Sequence, residues 1–188
     1  MLMSSVPKSM FQWGQSILKR QCAQPCFSGM RKPRQLLEGA KYHVSARANR
    51  QEMILHKDEI KDLFLDIVKR AKKKYQFRIE NFCVMENHFH FIIQPDAGVS
   101  LSAIMQWIMS VFAMAWNRRH RLTGHVWGQR FFSRILQSVT DFLRVFEYLD
   151  HNPLSGGLVA DAAAWRYGGL WHRTHGLSGI LDRPDGIW

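Results

Sequence analysis

Residues 85–94 read M-E-N-H-F-H-F-I-I-Q, and no other stretch leaves this chain so few ways to fold. Extended backbone repeats every two residues. His88 and His90 therefore leave one face of a strand about 7 Å apart, and Phe89, Phe91 and Ile93 leave the other. Three large apolar residues in phase call for a packed core on their side, while Ile92 continues the histidine face. The histidine spacing lets two ring nitrogens converge on one small cation, and neutral imidazole is the commonest protein metal ligand. A strand with two incidental histidines would show the same ten residues, so the rest of the chain has to discriminate.

The 188 residues suit one domain plus a tail, since domains usually hold about 100–150 residues. No stretch approaches the roughly 18 uncharged apolar residues of a membrane span. The 26 Lys and Arg against 15 Asp and Glu leave a formal charge of +11. Such a balance favours an anionic polymer, because each neutralised phosphate releases condensed counterions. Cys22, Cys26 and Cys83 make no disulfide framework, and a reducing, cytoplasmic setting is expected.

Residues 1–29 contain no acid and show no sustained period, so they read as a flexible or non-native extension preceding a plausible start at Met30. Tyr42–Ala48 alternates as a strand does. Lys57–Tyr75 carries Ile60, Leu63, Phe64, Ile67, Val68 and Ala71 at helical spacing, and its closing lysines complement the helix dipole. Phe77–Met85 is a second strand, joined to the histidine strand through Glu86-Asn87 as an antiparallel hairpin. Ser100 caps a helix from about Leu101 to His120, whose aliphatic and aromatic face is core. A strand over Arg134–Val139 and a helix from Thr140 to about Asp150, ended by Asn152-Pro153, complete the order. Residues 171–188 are rich in glycine, histidine and proline, and little order is expected there.

Two further groups carry chemistry. Between Asn117 and Ser138 stand Arg118, Arg119, Arg121, Arg130 and Arg134, without one acid, interleaved with Trp127 and Phe131. Arginine forks bind phosphate oxygens bidentately and exposed aromatics stack on bases, so this segment is the expected nucleic-acid surface. On the last helix, Tyr148 and Asn152 are four apart and share a face. They could present a nucleophile and an amide together, or be an ordinary helix tyrosine and a C-terminal cap.

Taken in order, four stretches resemble the HUH-type single-tyrosine transposases, specifically the REP-associated tyrosine transposase group. They are Y-H-V-S-A-R (42–47), M-x-N-H-x-H (85–90), N-R-R-H-R-L-T-G-H-V-W-G-Q-R-F (117–131) and Y-L-D-H-N-P-x-x-x-G-L-V (148–159). Asp150 departs from the histidine of that group's pattern, and Trp165-Arg166-Tyr167 from its W-S-S. The resemblance covers about residues 30–168 and implies an α+β domain over 30–170. Its antiparallel sheet would be packed with helices in an HUH or ferredoxin-like sandwich, with the histidine pair on a central strand. It further implies that His88, His90 and Asn152 hold one Mg²⁺ or Mn²⁺, and that Tyr148 cleaves single-stranded or hairpin DNA through a 5′-phosphotyrosine. No membrane partner is implied, and the protein would act as a monomer or homodimer. A non-catalytic hairpin-binding regulator would share these features. A zinc hydrolase built on H-x-H would need a carboxylate, for which only Glu86 is near.

Overall fold

The computed structural model describes residues 37–183; the expected extension at residues 1–29 lies outside them. Strands β1 (Tyr42–Arg47), β2 (Phe77–Val84), β3 (His88–Pro95) and β4 (Phe132–Ile135) form an antiparallel sheet in the order β2-β3-β1-β4. The helices are α1 (Asp58–Lys74), α2 (Leu101–His120), α3 (Val139–Ser155) and a short α4 (Gly169–Thr174). This is the expected α+β architecture, and the histidine strand β3 is interior to the sheet. No helix among the described residues is long and apolar enough to cross a membrane.

Pleat alternation sorts the side chains into two layers. Val44, Ala46, Phe89, Phe91 and Ile93 face α1 and α2, whose Phe64, Ile67, Val68, Ile104, Ile108 and Phe112 complete the main core. There the Phe64 ring lies 4.8 Å from Phe89 and 5.4 Å from Phe112. Each such side chain contributes about 1.5–3 kcal/mol on burial, so this layer supplies most of the stability. The other layer is smaller: Phe142, Val145 and Leu149 of α3 rest on Cys83, Met85, Ile92 and Leu136.

One irregularity keeps the layers in phase. In β2, Phe77 and Ile79 face the main core, but so do Phe82 and Val84, which is impossible for an unbroken period of two. A bulge resolves this, because the β2–β3 register shifts between Ile79 and Asn81 and leaves Glu80 as the extra residue. Glu80 is buried, and its Oε1 accepts a hydrogen bond from Lys41 Nζ at 2.7 Å. Asn81 and Cys83 are thereby turned towards α3.

Three boundaries differ from the sequence reading. β4 lies at Phe132–Ile135, two residues earlier than expected at its start. Helix α3 runs through Pro153 to Ser155; proline disturbs the turn before it, and Gly156 N–H still closes on the Asn152 carbonyl at 2.9 Å. Residues 171–183 pack where composition suggested little order. The reason is the free edge of β2. Val84 N–H donates to the Tyr167 carbonyl at 2.9 Å, the Trp165 indole donates to Val84 O at 3.0 Å, and Ile79 N–H donates to the Asp182 carboxylate at 2.8 Å. Asp182 also pairs with Lys72, and Ile180 is 1% exposed. An open strand edge templates self-association, and here the C-terminal segment closes it.

Ending the chain at Gly176 should therefore lower stability by roughly 2–4 kcal/mol, from the lost burial of Ile180 and two hydrogen bonds to Ile79. Urea unfolding would measure this, and light scattering should show self-association. A truncated chain as stable as the full one would mean that the edge needs no cover.

Candidate active site

The face of the sheet away from the main core is polar at its centre. β3 contributes His88 and His90; β1, paired so that Ser45 lies opposite His90 and Arg47 opposite His88, contributes His43, Ser45 and Arg47. β4 adds Phe132 opposite Ser45 and Arg134 opposite His43. Helix α3 lies over this face. Ser138 caps it by accepting from Asp141 N–H at 3.1 Å, and its apolar stripe of Phe142, Val145 and Leu149 sets the rotation that directs Tyr148 and Asn152 at the sheet.

The structure brings the tyrosine and the histidines together. The Tyr148 ring stands edge-on to His90 at 5.5 Å and to His43 at 6.3 Å, and His88 and His90 are 5.0 Å apart, all as ring centroids. His90 and Asn152 are buried, and His88 is 8% exposed. Five polar atoms here are buried without a hydrogen-bond partner: His43 Nδ1, His88 Nε2, His90 Nε2, Tyr148 Oη and Asn152 Nδ2. A half-turn of the Asn152 amide would present its oxygen in place of its nitrogen. A buried unpaired polar atom costs about 1–3 kcal/mol, so five in one place make this face a candidate site for a polar ligand.

The Nδ1 atoms of His88 and His90 are engaged. His88 Nδ1 lies 2.7 Å from Asn87 Oδ1, and His90 Nδ1 lies 3.0 Å from His43 Nε2. A ring held through Nδ1 turns Nε2 outward, which is how proteins present ligating histidines. The donor set fits a divalent cation held by two imidazoles and an amide oxygen. Among the described residues no three His, Cys, Asp or Glu side chains group so as to hold a metal ion.

Electrostatics keep all of these groups neutral. Burial, aided by the Arg47 charge, holds His88 at about 3. Burial, aided by Arg134, holds His43 at about 3. His90 is pushed well down by burial and by its neighbours His88, His43 and Arg47. Burial pushes the Tyr148 phenol up from its ordinary value, with Cys83 adding to the rise and Asn152 and Arg47 opposing it.

Asp150, which departs from the resembled pattern, anchors the tyrosine helix from outside the site. Its carboxylate accepts from Asn81 Nδ2 at 2.9 Å and from Arg173 at 2.6 Å, while Arg173 also donates to Asn81 Oδ1 at 3.0 Å. Sequence reasoning missed this clamp, and it missed His43, Arg47 and Asn87. The signal for the first two was present in Y-H-V-S-A-R, where residues 43, 45 and 47 share a face by the same period that pairs His88 with His90.

The basic segment divides. Arg118 and Arg119 end α2 and are exposed, with Arg119 paired to Glu59. Arg121 and Arg130 are exposed in the following loop, and Arg134 lies on β4 near Asp141 at 3.8 Å. That loop passes the end of β1: Gly128 N–H donates to the Arg47 carbonyl at 3.0 Å. A Cβ at Gly128 would stand 3.3 Å from Ala48 O. Trp127 departs from its expected role as an exposed stacking surface. Its ring packs 5.3 Å from Phe112 and 5.4 Å from Phe89, and its N–H donates to Met109 O at 3.0 Å. Trp127 is half-buried and Phe131 is buried. The segment needed apolar anchors to cross the sheet edge, and its aromatics serve that purpose.

A family model described as "Transposase IS200 like" matches residues 37–152. No curated protein matches the chain. Among solved structures, a REP-associated tyrosine transposase bound to a REP hairpin aligns with a TM-score of 0.68 at 19% identity, covering 84% of this chain and 93% of its own. That likeness is one of fold. A structure from Deinococcus radiodurans R1 aligns more loosely, with a TM-score of 0.46 at 15% identity over 65% of this chain and 97% of its own.

The depressed histidines make stability depend on pH with a definite sign. Between about 6.5 and 3 the unfolded chain protonates His43 and His88 while the folded one does not, so stability is greatest above 6.5 and falls as pH drops through that window. Each group contributes up to about 1.4 kcal/mol per pH unit. Thermal unfolding in EDTA from pH 7.5 to 4.5 should show the fall, and His43→Gln should make it shallower. A flat profile would mean that the imidazoles are not buried neutral.

Proposed function

The chain belongs to the IS200-like transposase family, and on that premise we propose that it is a metal-dependent strand transferase for single-stranded DNA, of the REP-associated tyrosine transposase group. The observation that carries this reading is the set of unpartnered polar atoms on His88, His90, Asn152 and Tyr148 where α3 covers the sheet. A scissile phosphate and a cation would give them partners. His88, His90 and Asn152 would hold Mg²⁺ or Mn²⁺, although two imidazoles and an amide would accept zinc as well. Bound there, the ion would offset the negative charge that develops on the phosphate.

The steps then belong to the chain's own residues. Tyr148 Oη attacks phosphorus and loses its proton. The bond from phosphorus to the 3′-oxygen breaks, and that oxygen leaves as a free 3′-OH after taking up a proton. The product is a 5′-phosphotyrosine, whose stored bond energy lets a second 3′-OH displace the tyrosine and rejoin strands without ATP. Burial raises the phenol, so Tyr148 stays protonated and idle until substrate enters. The Arg47 charge favours its ionised form from the side. Single-stranded substrate suits the enclosed site, because the attacked backbone must bend into it.

The formal charge of +11 supports a nucleic-acid partner, and the fold relative bound to a REP hairpin supports a hairpin beside the cleavage point. Arg118, Arg121, Arg130 and Arg134 would meet phosphates, with the cytoplasm as the compartment.

Tyr148→Phe removes one oxygen and should abolish both cleavage and the covalent adduct while leaving hairpin affinity intact. A labelled oligonucleotide carrying a hairpin, run on a denaturing gel with and without Mn²⁺, reads both outcomes. Binding without adduct by the unaltered protein would favour a regulator, and free 5′-phosphate ends a hydrolase.

Replacing Arg118, Arg121 and Arg130 by Ala should weaken hairpin binding and flatten its salt dependence by about 0.7–0.9 of a logarithmic unit per lost phosphate contact. Titrations at several salt concentrations measure the slope. An unchanged slope would make these arginines solvated surface.

A further inference from the structure

His43 is fully buried on β1, and its ring lies parallel to that of His90 at a centroid distance of 5.2 Å and an angle of 22°. Its Nε2 is 3.0 Å from His90 Nδ1. Two neutral imidazoles joined this way hold one hydrogen between them, and the direction of that bond decides what His90 can do. If His43 donates, the remaining hydrogen of His90 sits on Nε2, and that atom has no lone pair for a cation. If His90 donates from Nδ1, its Nε2 is a free base and the hydrogen of His43 moves to Nδ1.

We propose that His43 is a positioning residue that accepts from His90 Nδ1–H and so holds His90 in the tautomer whose Nε2 can ligate a divalent cation. This rests on the metal-binding reading above. The other imidazole has a simpler arrangement: His88 Nδ1 faces Asn87 Oδ1 at 2.7 Å, and a carbonyl oxygen can only accept. His43 does for His90 what an oxygen does for His88, but with a group that could also donate. Ligating histidines commonly give this hydrogen to a carboxylate or a backbone carbonyl. A carboxylate would place negative charge beside the position a phosphate has to occupy, and burial there would be costly. A neutral imidazole orients the ligand without that repulsion. Packing holds it in place, since the Phe132 ring stands edge-on to His43 at 6.2 Å and the Tyr148 ring at 6.3 Å on its other contacts.

Two variants separate orientation from packing. His43→Phe keeps a flat ring and removes the acceptor; His43→Gln restores an acceptor oxygen. Mn²⁺ binding to the full chain, followed by electron paramagnetic resonance of the free ion, should weaken about 10- to 100-fold in His43→Phe and stay close to the unaltered value in His43→Gln. Nitrogen-15 imidazole spectra of the unaltered protein with Mg²⁺ should show the hydrogen of His43 on Nδ1. Undiminished Mn²⁺ affinity in His43→Phe, or a hydrogen on His43 Nε2, overturns the proposal. If His43→Phe does not fold, the tautomer of His43 decides alone. His88→Ala is the control. Mn²⁺ binding lost there but intact in His43→Phe rejects the role of His43 only, whereas an unaltered protein that binds no Mn²⁺ rejects the metal site itself.

Discussion

The period of two in β1 and β3 is the constraint on which this molecule rests. With Ser45 opposite His90 and Arg47 opposite His88, a slip of one residue would send the phenylalanines of β3 towards α3 and bury the histidines under α1 and α2. The apolar set is therefore what places the polar one. Phe89 and Phe91 pack against Phe64 in the main core, and the imidazoles then have one direction left. The bulge at Glu80 extends the same phase into β2, where it turns Asn81 towards Asp150 and Phe146.

The site is the part of the fold that opposes stability. Its unpartnered atoms and neutral imidazoles are held in place by a large aromatic core on the other side of one sheet, only a strand's thickness away. The tyrosine helix has a thinner apolar layer beneath it, made of Phe142, Val145 and Leu149. The Asp150–Arg173–Asn81 clamp supplements that layer with directional bonds, which fix the helix in rotation as well as distance.

Much of this was legible in the residues. The helical periods of α1 and α2, the Ser100 cap, the hairpin at Glu86-Asn87 and the shared face of His88 and His90 follow from local spacing, while the placement of Tyr148 beside them followed from the family resemblance. What escaped depended on pairing between distant segments. His43 is one of many strand residues until β1 is set beside β3. The break between Ile79 and Phe82 signals a bulge only if both are known to face one core. Trp127 looks like a stacking surface in a basic loop, and packs half-buried against the core when that loop passes the end of β1. Composition misled at residues 171–183, because glycine and histidine content says nothing about an open edge waiting elsewhere to be covered.

That cover has a consequence for how the molecule comes into being. Ile79 and Asp182 are joined in both directions, N–H to carboxylate and carbonyl to N–H. A ribosome delivers β2 long before it delivers the residues that close it. Loop closure over such a span costs little extra free energy but a great deal of time. During synthesis the hairpin that carries the histidines thus exists with one bare edge, and crowded nascent chains can pair there. A segment translated after the strands is the one that closes the edge of their sheet.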